Sequence, residues 1–260
     1  MKVRLDAAVA QRGGMTRSQA RSLIMEGRVR VNGMVATKAG HSVAADAAID
    51  IAAPRRFVSR GGEKLEYALR EFGIDVRGAI ALDVGASTGG FTDCLLQRGA
   101  ARVTALDVGY GQLDWKLRND PRVSVMERVN FRTIESAAFP GGFDCIVIDA
   151  SFISLRTLLA RAAGFLRDSG AIVALVKPQF EAGRERVGGG GVVRSAQTHR
   201  DVLRSIREAA AKLGLTATAL VASPLRGPAG NREFFMELRR RGATVEDARI
   251  EEVLAEDPSA

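Results

Sequence analysis

Two cysteines in 260 residues, Cys94 in an amphipathic stretch and Cys145 in an apolar run, are too few for a disulfide framework. They read as buried thiols of a reducing compartment. Two histidines and two separated thiols give no metal-ligand cluster, so no metal is expected. No apolar run approaches the roughly 18 residues that span a bilayer, and the opening MKVRLDAAVAQRGG lacks an apolar signal core. These absences predict a cytoplasmic protein with no membrane partner. Aromatic residues (Phe, Trp, Tyr) make up 5% of the chain and are missing from its first 50 residues, which argues against base stacking as the mode of recognition there.

Positive charge, by contrast, is plentiful. The net charge is +8, and residues 1 to 60 hold eleven Lys/Arg against four acids, a net +7. The other 200 residues are close to neutral, so a polyanion-binding module is expected to precede a different domain. Within the basic part, RLDAAVAQR and TRSQARSLIMEGRV carry apolar residues at helical spacing, with Thr16 or Ser18 as N-cap and Gly27 as a stop. Asn32-Gly33 then predicts a hairpin, and AAIDIAA can add a strand. This stretch resembles the S-four type (αL motif) RNA-binding domain through RLD, TRSQARSLIMEGRVRVNG, Lys38 and Val43. Arg4, Arg17, Ser18, Arg21, Arg28, Arg30 and Lys38 are the candidate RNA contacts, reading phosphates and shape.

From residue 79 onward, apolar runs alternate with helical patterns, which predicts a mostly parallel sheet covered on both faces. The loop between TATALVA and NREFFMEL is too short for a helical crossover, so the last strand should pair antiparallel as the seventh. The fold class is therefore α/β, a Rossmann-like seven-stranded domain preceded by a small α+β module. The expected boundaries are 1–53 for the module, 54–60 for a linker, 61–243 for the α/β domain and 244–260 for a C-terminal tail.

The first strand of that domain ends in LDVGASTGGFTD. No lysine follows Gly85 before Arg98, so this is not a P-loop, and the glycine spacing is wrong for a dinucleotide pyrophosphate. A phosphate-free adenosine ligand suits the turn, and S-adenosylmethionine suits an acid-lined pocket with a helix N-terminus for its carboxylate. In this reading Gly85, Gly89 and Gly90 let the backbone approach the ligand, Asp83 faces its amino-acid part and Asp107 accepts the ribose hydroxyls. Ser87, Thr88, Phe91, Val108, Asn130 and Asp149 complete the candidate cofactor set. A plainer reading has Asp83 capping the turn and the glycines packing helix on strand.

Charged residues also stand at strand ends. Lys64 lies in SRGGEKL, Asp149 ends CIVID, Lys177 ends IVALVK and Glu233 opens the antiparallel strand, so all four can meet at the carboxyl edge of the sheet. Together with DVGYGQLDWKLRNDPRV, DASFISL, LVKPQFEAGRERVG, GGVVR and SPLRGPAGNREFF, these motifs resemble the TlyA (haemolysin A) family of ribosomal RNA ribose 2′-O-methyltransferases, itself FtsJ-like. The resemblance implies a Lys64–Asp149–Lys177–Glu233 catalytic tetrad, a cytidine target in ribosomal RNA or ribosomal subunits, and a monomer. It departs from the family at Ala150, at Gly189 and in the linker RRFV, where well-known members carry tryptophan.

The tetrad chemistry can be reasoned from the residues. A ribose hydroxyl must lose its proton while the methyl group is held in line, and Lys177 is the expected base. A neighbouring Lys64 charge would ease loss of the Lys177 proton, Asp149 would orient Lys177, and Glu233 would hold Lys64 or the ribose. His41 and His199 read as surface or capping residues. Trp115 and Tyr110 are candidate adenosine neighbours, although Trp115 can equally pack its own helix. The loop EAGRERVGGGGVVRS reads as a flexible lid over RNA. Two rivals remain open: a membrane-active cytolysin, for which no insertion segment is found, and an RNA-binding protein with an inactive methyltransferase domain.

Overall fold

A computed structural model describes residues 2–25, 27–52 and 56–256, in two compact units that divide between Arg55 and Arg56. The first unit runs β1 (Lys2–Arg4), α1 (Leu5–Gly13), α2 (Arg17–Met25), β2 (Val29–Val31), β3 (Met34–Ala36), β4 (Ser42–Ala44) and β5 (Ile49–Ile51). A reciprocal capping box starts α2: Gln19 N donates to Thr16 Oγ1 at 3.3 Å and Thr16 N donates to Gln19 Oε1 at 2.9 Å. Thr16, rather than Ser18, is therefore the cap. Asn32 and Gly33 take positive φ, as a two-residue hairpin turn requires, and join β2 to β3. β5 pairs with the other side of β2. The pairing of β1 with β4 was not foreseen, because three-residue strands give too little alternation to read. Leu5, Val9, Ala20, Ile24, Val29 and Val43 form this unit's own core.

The second unit contains α3 (Arg60–Glu71), β6 (Ile80–Val84), α4 (Gly90–Gln97), β7 (Arg102–Leu106), α5 (Trp115–Arg118), β8 (Val123–Met126), β9 (Phe143–Ile148), α6 (Leu155–Phe165) and β10 (Leu166–Val176). It continues through α7 (Pro178–Glu181), α8 (Ala196–Lys212), β11 (Thr216–Ala222), β12 (Phe234–Arg239) and α9 (Asp247–Ala255). Seven strands lie in the order β11-β12-β10-β9-β6-β7-β8. β12 is antiparallel to both neighbours, as the short loop before it demanded. The chain proceeds from β6 to β7 and β8, then returns to place β9 on the other side of β6. That reversal opens a crevice at the carboxyl ends of β6 and β9. Both cysteines are buried and unbridged.

Two expected boundaries differ from the packing. Phe57, assigned to the linker, is 2% exposed in the core, and Ser59 caps α3 by accepting from Gly61 N. Residues 53–55 lie outside the described residues. The expected tail carries α9, whose Ile250 and Val253 are fully buried and whose Asp247 pairs with Arg204 and Arg207 of α8. Residues 257–260 lie outside the described residues. His199, read as a surface or capping residue, is buried edge-on against Phe234 because it falls on the inner face of α8.

Candidate active site

The turn after β6 is set by sterics. Gly85, Ser87 and Gly89 have φ of +86°, +50° and +96°, a region that favours glycine. A Cβ on Gly85 would strike the carbonyl of Asp149; one on Gly89 would strike Leu113 and Leu117; one on Gly90 would strike Ser59. A side chain at any of the three would therefore run into protein, while the backbone of Gly85 and of Gly90 still faces a cavity. Ser87 N donates to Asp107 Oδ2 at 2.8 Å and Gly109 N donates to Asp107 Oδ1 at 2.7 Å, tying the turn to the end of β7.

Two cavities flank this turn. The first, of about 350 Å³, is lined by Asp107, Val108, Asn130, Asp149, Phe152 and Leu158 among others. The second, of about 240 Å³, is lined by Ser59, Lys64, Thr88, Phe91, Lys177 and Glu233 among others. Gly85, Ser87 and Asp149 line both. Gly90 belongs to the second, while Asp83 and Gly89 line neither. Trp115 and Tyr110 line neither as well: both stand in solvent, Tyr110 under the Arg128 guanidinium.

Asp149, Lys177 and Glu233 adjoin the ends of β9, β10 and β12, whereas Lys64, expected at a strand end, lies in α3; the four charges meet as two ion pairs. Lys64 Nζ donates to Glu233 Oε2 at 2.6 Å, a pair that is almost wholly buried. Lys177 Nζ lies 2.5 Å from Asp149 Oδ1, out of hydrogen-bond alignment with it, and makes its aligned bond to Ser151 Oγ at 3.0 Å. The expected contacts of Asp149 with Lys177 and of Glu233 with Lys64 are both present, so each lysine has its own carboxylate beside the shared cavity. Burying an ammonium beside a like charge would leave both uncompensated, and each finds an opposite charge instead.

Asp83 sits behind the turn with no solvent exposure. Thr92 Oγ1 donates to its Oδ2 at 2.6 Å, and its Oδ1 has no hydrogen-bond partner. Burial pushes its carboxyl up to about 7, helped by the nearby Asp149 and Asp107 carboxylates and opposed by the Thr92 hydrogen bond.

Several residues at the site carried no sequence signal strong enough to be chosen. Phe152 is 91% exposed at φ +64°, a conformation bulky residues avoid, with its ring tilted against that of Phe180. Gln179 Nε2 reaches Glu233 Oε1 at 3.5 Å. Asn231 accepts from Val193 N and donates to Gly191 O, tying the glycine-rich loop that was expected to be a flexible lid to the segment before β12.

In the first unit, the expected cationic cluster divides. Arg4, Arg17 and Arg21 converge on Asp6, whereas Arg28 and Arg30 bond the carbonyls of Ala52 and Gly33. Ser18 is exposed in the first turn of α2, and Lys38 lies in the loop before β4. His41 is exposed in the same loop.

Residues 57–240 match the FtsJ-like methyltransferase family, and residues 3–49 match the S4 domain. The chain belongs to the FtsJ-like methyltransferase family. It is 47% identical over 241 residues to the 16S/23S rRNA (cytidine-2′-O)-methyltransferase TlyA of Mycobacterium tuberculosis, covering 92% of this chain and 90% of that protein. It is 46% identical over 254 residues to YqxC of Bacillus subtilis, a proposed rRNA methyltransferase, covering 96% and 90%. A solved structure of a proposed hemolysin from Streptococcus thermophilus superposes with a TM-score of 0.76 at 43% identity, covering 98% of this chain and 94% of that one. Among the described residues, no helix is long and apolar enough to cross a membrane.

The residues of this methyltransferase domain suit a cationic adenosine ligand. The first cavity combines Asp107 and Asn130 with the apolar Val108, Phe131 and Leu158. Oδ1 of Asp83 is a buried acceptor without a hydrogen-bond donor behind the turn, and Oδ1 of Asp149 has Lys177 as its ion-pair partner between the two cavities. Among the described residues, no group of three His, Cys, Asp or Glu is placed to hold a metal ion.

Proposed function

We propose that this chain methylates the ribose 2′-hydroxyl of a cytidine in ribosomal RNA, using S-adenosylmethionine. The observation that carries the reading is that Asp149 lines both cavities, joining a cavity suited to adenosine to one holding two lysine–carboxylate pairs. The methyl donor would lie in the first cavity and the target ribose in the second. The rRNA substrate and the cytidine come from the relatives' activity and agree with the basic, aromatic-poor first unit.

When bound, S-adenosylmethionine supplies an electrophilic methyl group on a sulfonium. Asp107 and Asn130 would hold the adenosine, with Val108 at the mouth of the cavity. Lys177, steadied by Asp149 and Ser151, would first have to release its ammonium proton to solvent, and its neutral Nζ would then take the 2′-hydroxyl proton as the methyl group leaves the sulfonium for the ribose oxygen. Lys64, held by Glu233, faces the negative charge developing on that oxygen. Phe152 offers its flat apolar face to a nucleobase beside the ribose.

The test is incubation with methyl-labelled S-adenosylmethionine and ribosomal subunits, followed by nuclease digestion and nucleoside analysis. Label in 2′-O-methylcytidine is expected. Label in protein, on a nucleobase, or nowhere would overturn the reading.

A further inference from the structure

Asp6 is fully buried, yet its partners are half exposed. Arg4 donates to it as a fork, Nε to Oδ1 at 3.1 Å and Nη2 to Oδ2 at 2.9 Å. Arg17 Nη2 donates to Oδ1 at 3.0 Å, and Arg21 Nε donates to Oδ2 at 3.2 Å. Both carboxylate oxygens are therefore used twice. The three guanidinium side chains remain 50%, 54% and 54% exposed. Three cations on one anion leave a surplus of two positive charges at one spot, and each guanidinium keeps donors that Asp6 does not use.

We infer that Asp6 is a positioning residue for RNA binding, gathering Arg4, Arg17 and Arg21 into one pre-ordered phosphate-binding face. The inference rests on the reading of the first unit as the RNA-binding part. A free arginine loses its rotamer freedom when it grips a phosphate, and one already fixed by a carboxylate does not. The carboxylate is in turn built to stay charged: the Arg4 hydrogen bond, with those from Arg17 and Arg21, holds it well below the usual carboxylate range against the opposing effect of burial. Its backbone is fixed too, with Asp6 N donating to Ala39 O and Leu5 N to His41 O. A clasp that only joined α1 to α2 would not require three cations for one anion.

The two roles predict opposite signs. Asp6→Asn raises the net charge from +8 to +9, so counting charges alone predicts tighter RNA binding and a steeper salt dependence. If Asp6 positions the arginines, binding to deproteinised ribosomal RNA should instead weaken by about tenfold, with a shallower salt slope, at a temperature where circular dichroism shows the variant folded. Equal or tighter binding by a folded Asp6→Asn protein would overturn the inference. The Arg17→Ala/Arg21→Ala variant separates the two readings. If it binds RNA as the wild type does, the RNA face itself is misassigned; if it loses affinity while Asp6→Asn does not, only the role of Asp6 fails. Should Asp6→Asn unfold the first unit, Arg17→Lys/Arg21→Lys decides, since it keeps every charge but loses the planar fork. Weakened binding by that folded variant supports positioning, and full affinity overturns it.

Discussion

Asp6 and Asp83 are both aspartates with no solvent exposure, and their environments drive them in opposite directions. Asp6 accepts four hydrogen bonds from three guanidinium groups and is held ionised. Asp83 accepts one side-chain hydroxyl, keeps an unpartnered oxygen, and has its carboxyl raised to about 7. Burial alone therefore does not set the charge of a carboxylate; the number and charge of its donors does. The two units handle charge differently as a result. The first spends one acid to hold several cations toward solvent, while the sheet edge pairs lysines and acids singly around cavities and leaves acceptor capacity free behind them.

The largest effect should come from breaking one of the single pairs. Lys177→Ala should keep RNA binding but lower the single-turnover rate by roughly 10²–10⁴-fold, the usual worth of a positioned base. Lys177→Arg should be nearly as slow, because arginine keeps the charge opposite Asp149 but does not give up its proton. In the first unit positive charge is expected to act as grip, and at Lys177 as proton chemistry. An arginine variant with near wild-type rate would erase that distinction and leave Lys177 as an electrostatic anchor.

A smaller effect sharpens the contrast in backbone terms. Gly33 and Gly85 both have positive φ, +79° and +86°. A Cβ on Gly33 meets nothing within 4 Å, whereas one on Gly85 collides with the Asp149 carbonyl. Gly33→Ala should cost about 1–2 kcal/mol from its left-handed backbone, and Gly85→Ala about 3 kcal/mol or more because β6 and β9 must also separate. Chemical denaturation monitored by circular dichroism measures both. Equal losses would mean that the Gly85 turn relaxes and that its glycine is not needed for the approach of Asp149.

Much of this architecture could be read from sequence because its signals are local. Long apolar runs, the Asn32-Gly33 turn and the short loop before Phe234 each act within a few residues. Charged partners are chosen across the fold: Lys64 and Glu233 are 169 positions apart, so the sequence left Glu233 either Lys64 or the ribose as partner, and only the packing of α3 sets it on Lys64. Asp6 stood in a noted motif without an assigned role because only the packing of α1 on α2 brings Arg17 and Arg21 to it. The packing role of Gly85, Gly89 and Gly90 was less legible for a related reason, since sequence marks where a Cβ is excluded but not which neighbouring atoms exclude it. Phe57 and α9 were placed outside the domain because a short or charged segment hides the one or two side chains that anchor it.

The gentlest test of the comparison is a pH series. The folded carboxyl of Asp83 titrates at about 7 against an ordinary value of 3.8, so between those pH values the folded protein holds a proton that the unfolded chain has released. Stability from this group should therefore fall as pH rises across that window, by no more than about 1.4 kcal/mol per pH unit, and then level off. Asp6 has the opposite sign: its folded value is depressed, so its contribution is present above the ordinary carboxylate range and is lost as pH falls through the folded value. Asp83→Asn keeps an oxygen for Thr92 and removes the titration, so the decline between pH 4 and 7 should flatten in urea denaturation measured across that range. An Asp83→Asn protein with the wild-type slope would show that Asp83 is ionised in the fold throughout, and that its unpartnered oxygen finds a donor in solution. Burial would then have the same consequence at Asp83 as at Asp6, and the contrast between the two buried acids would not hold.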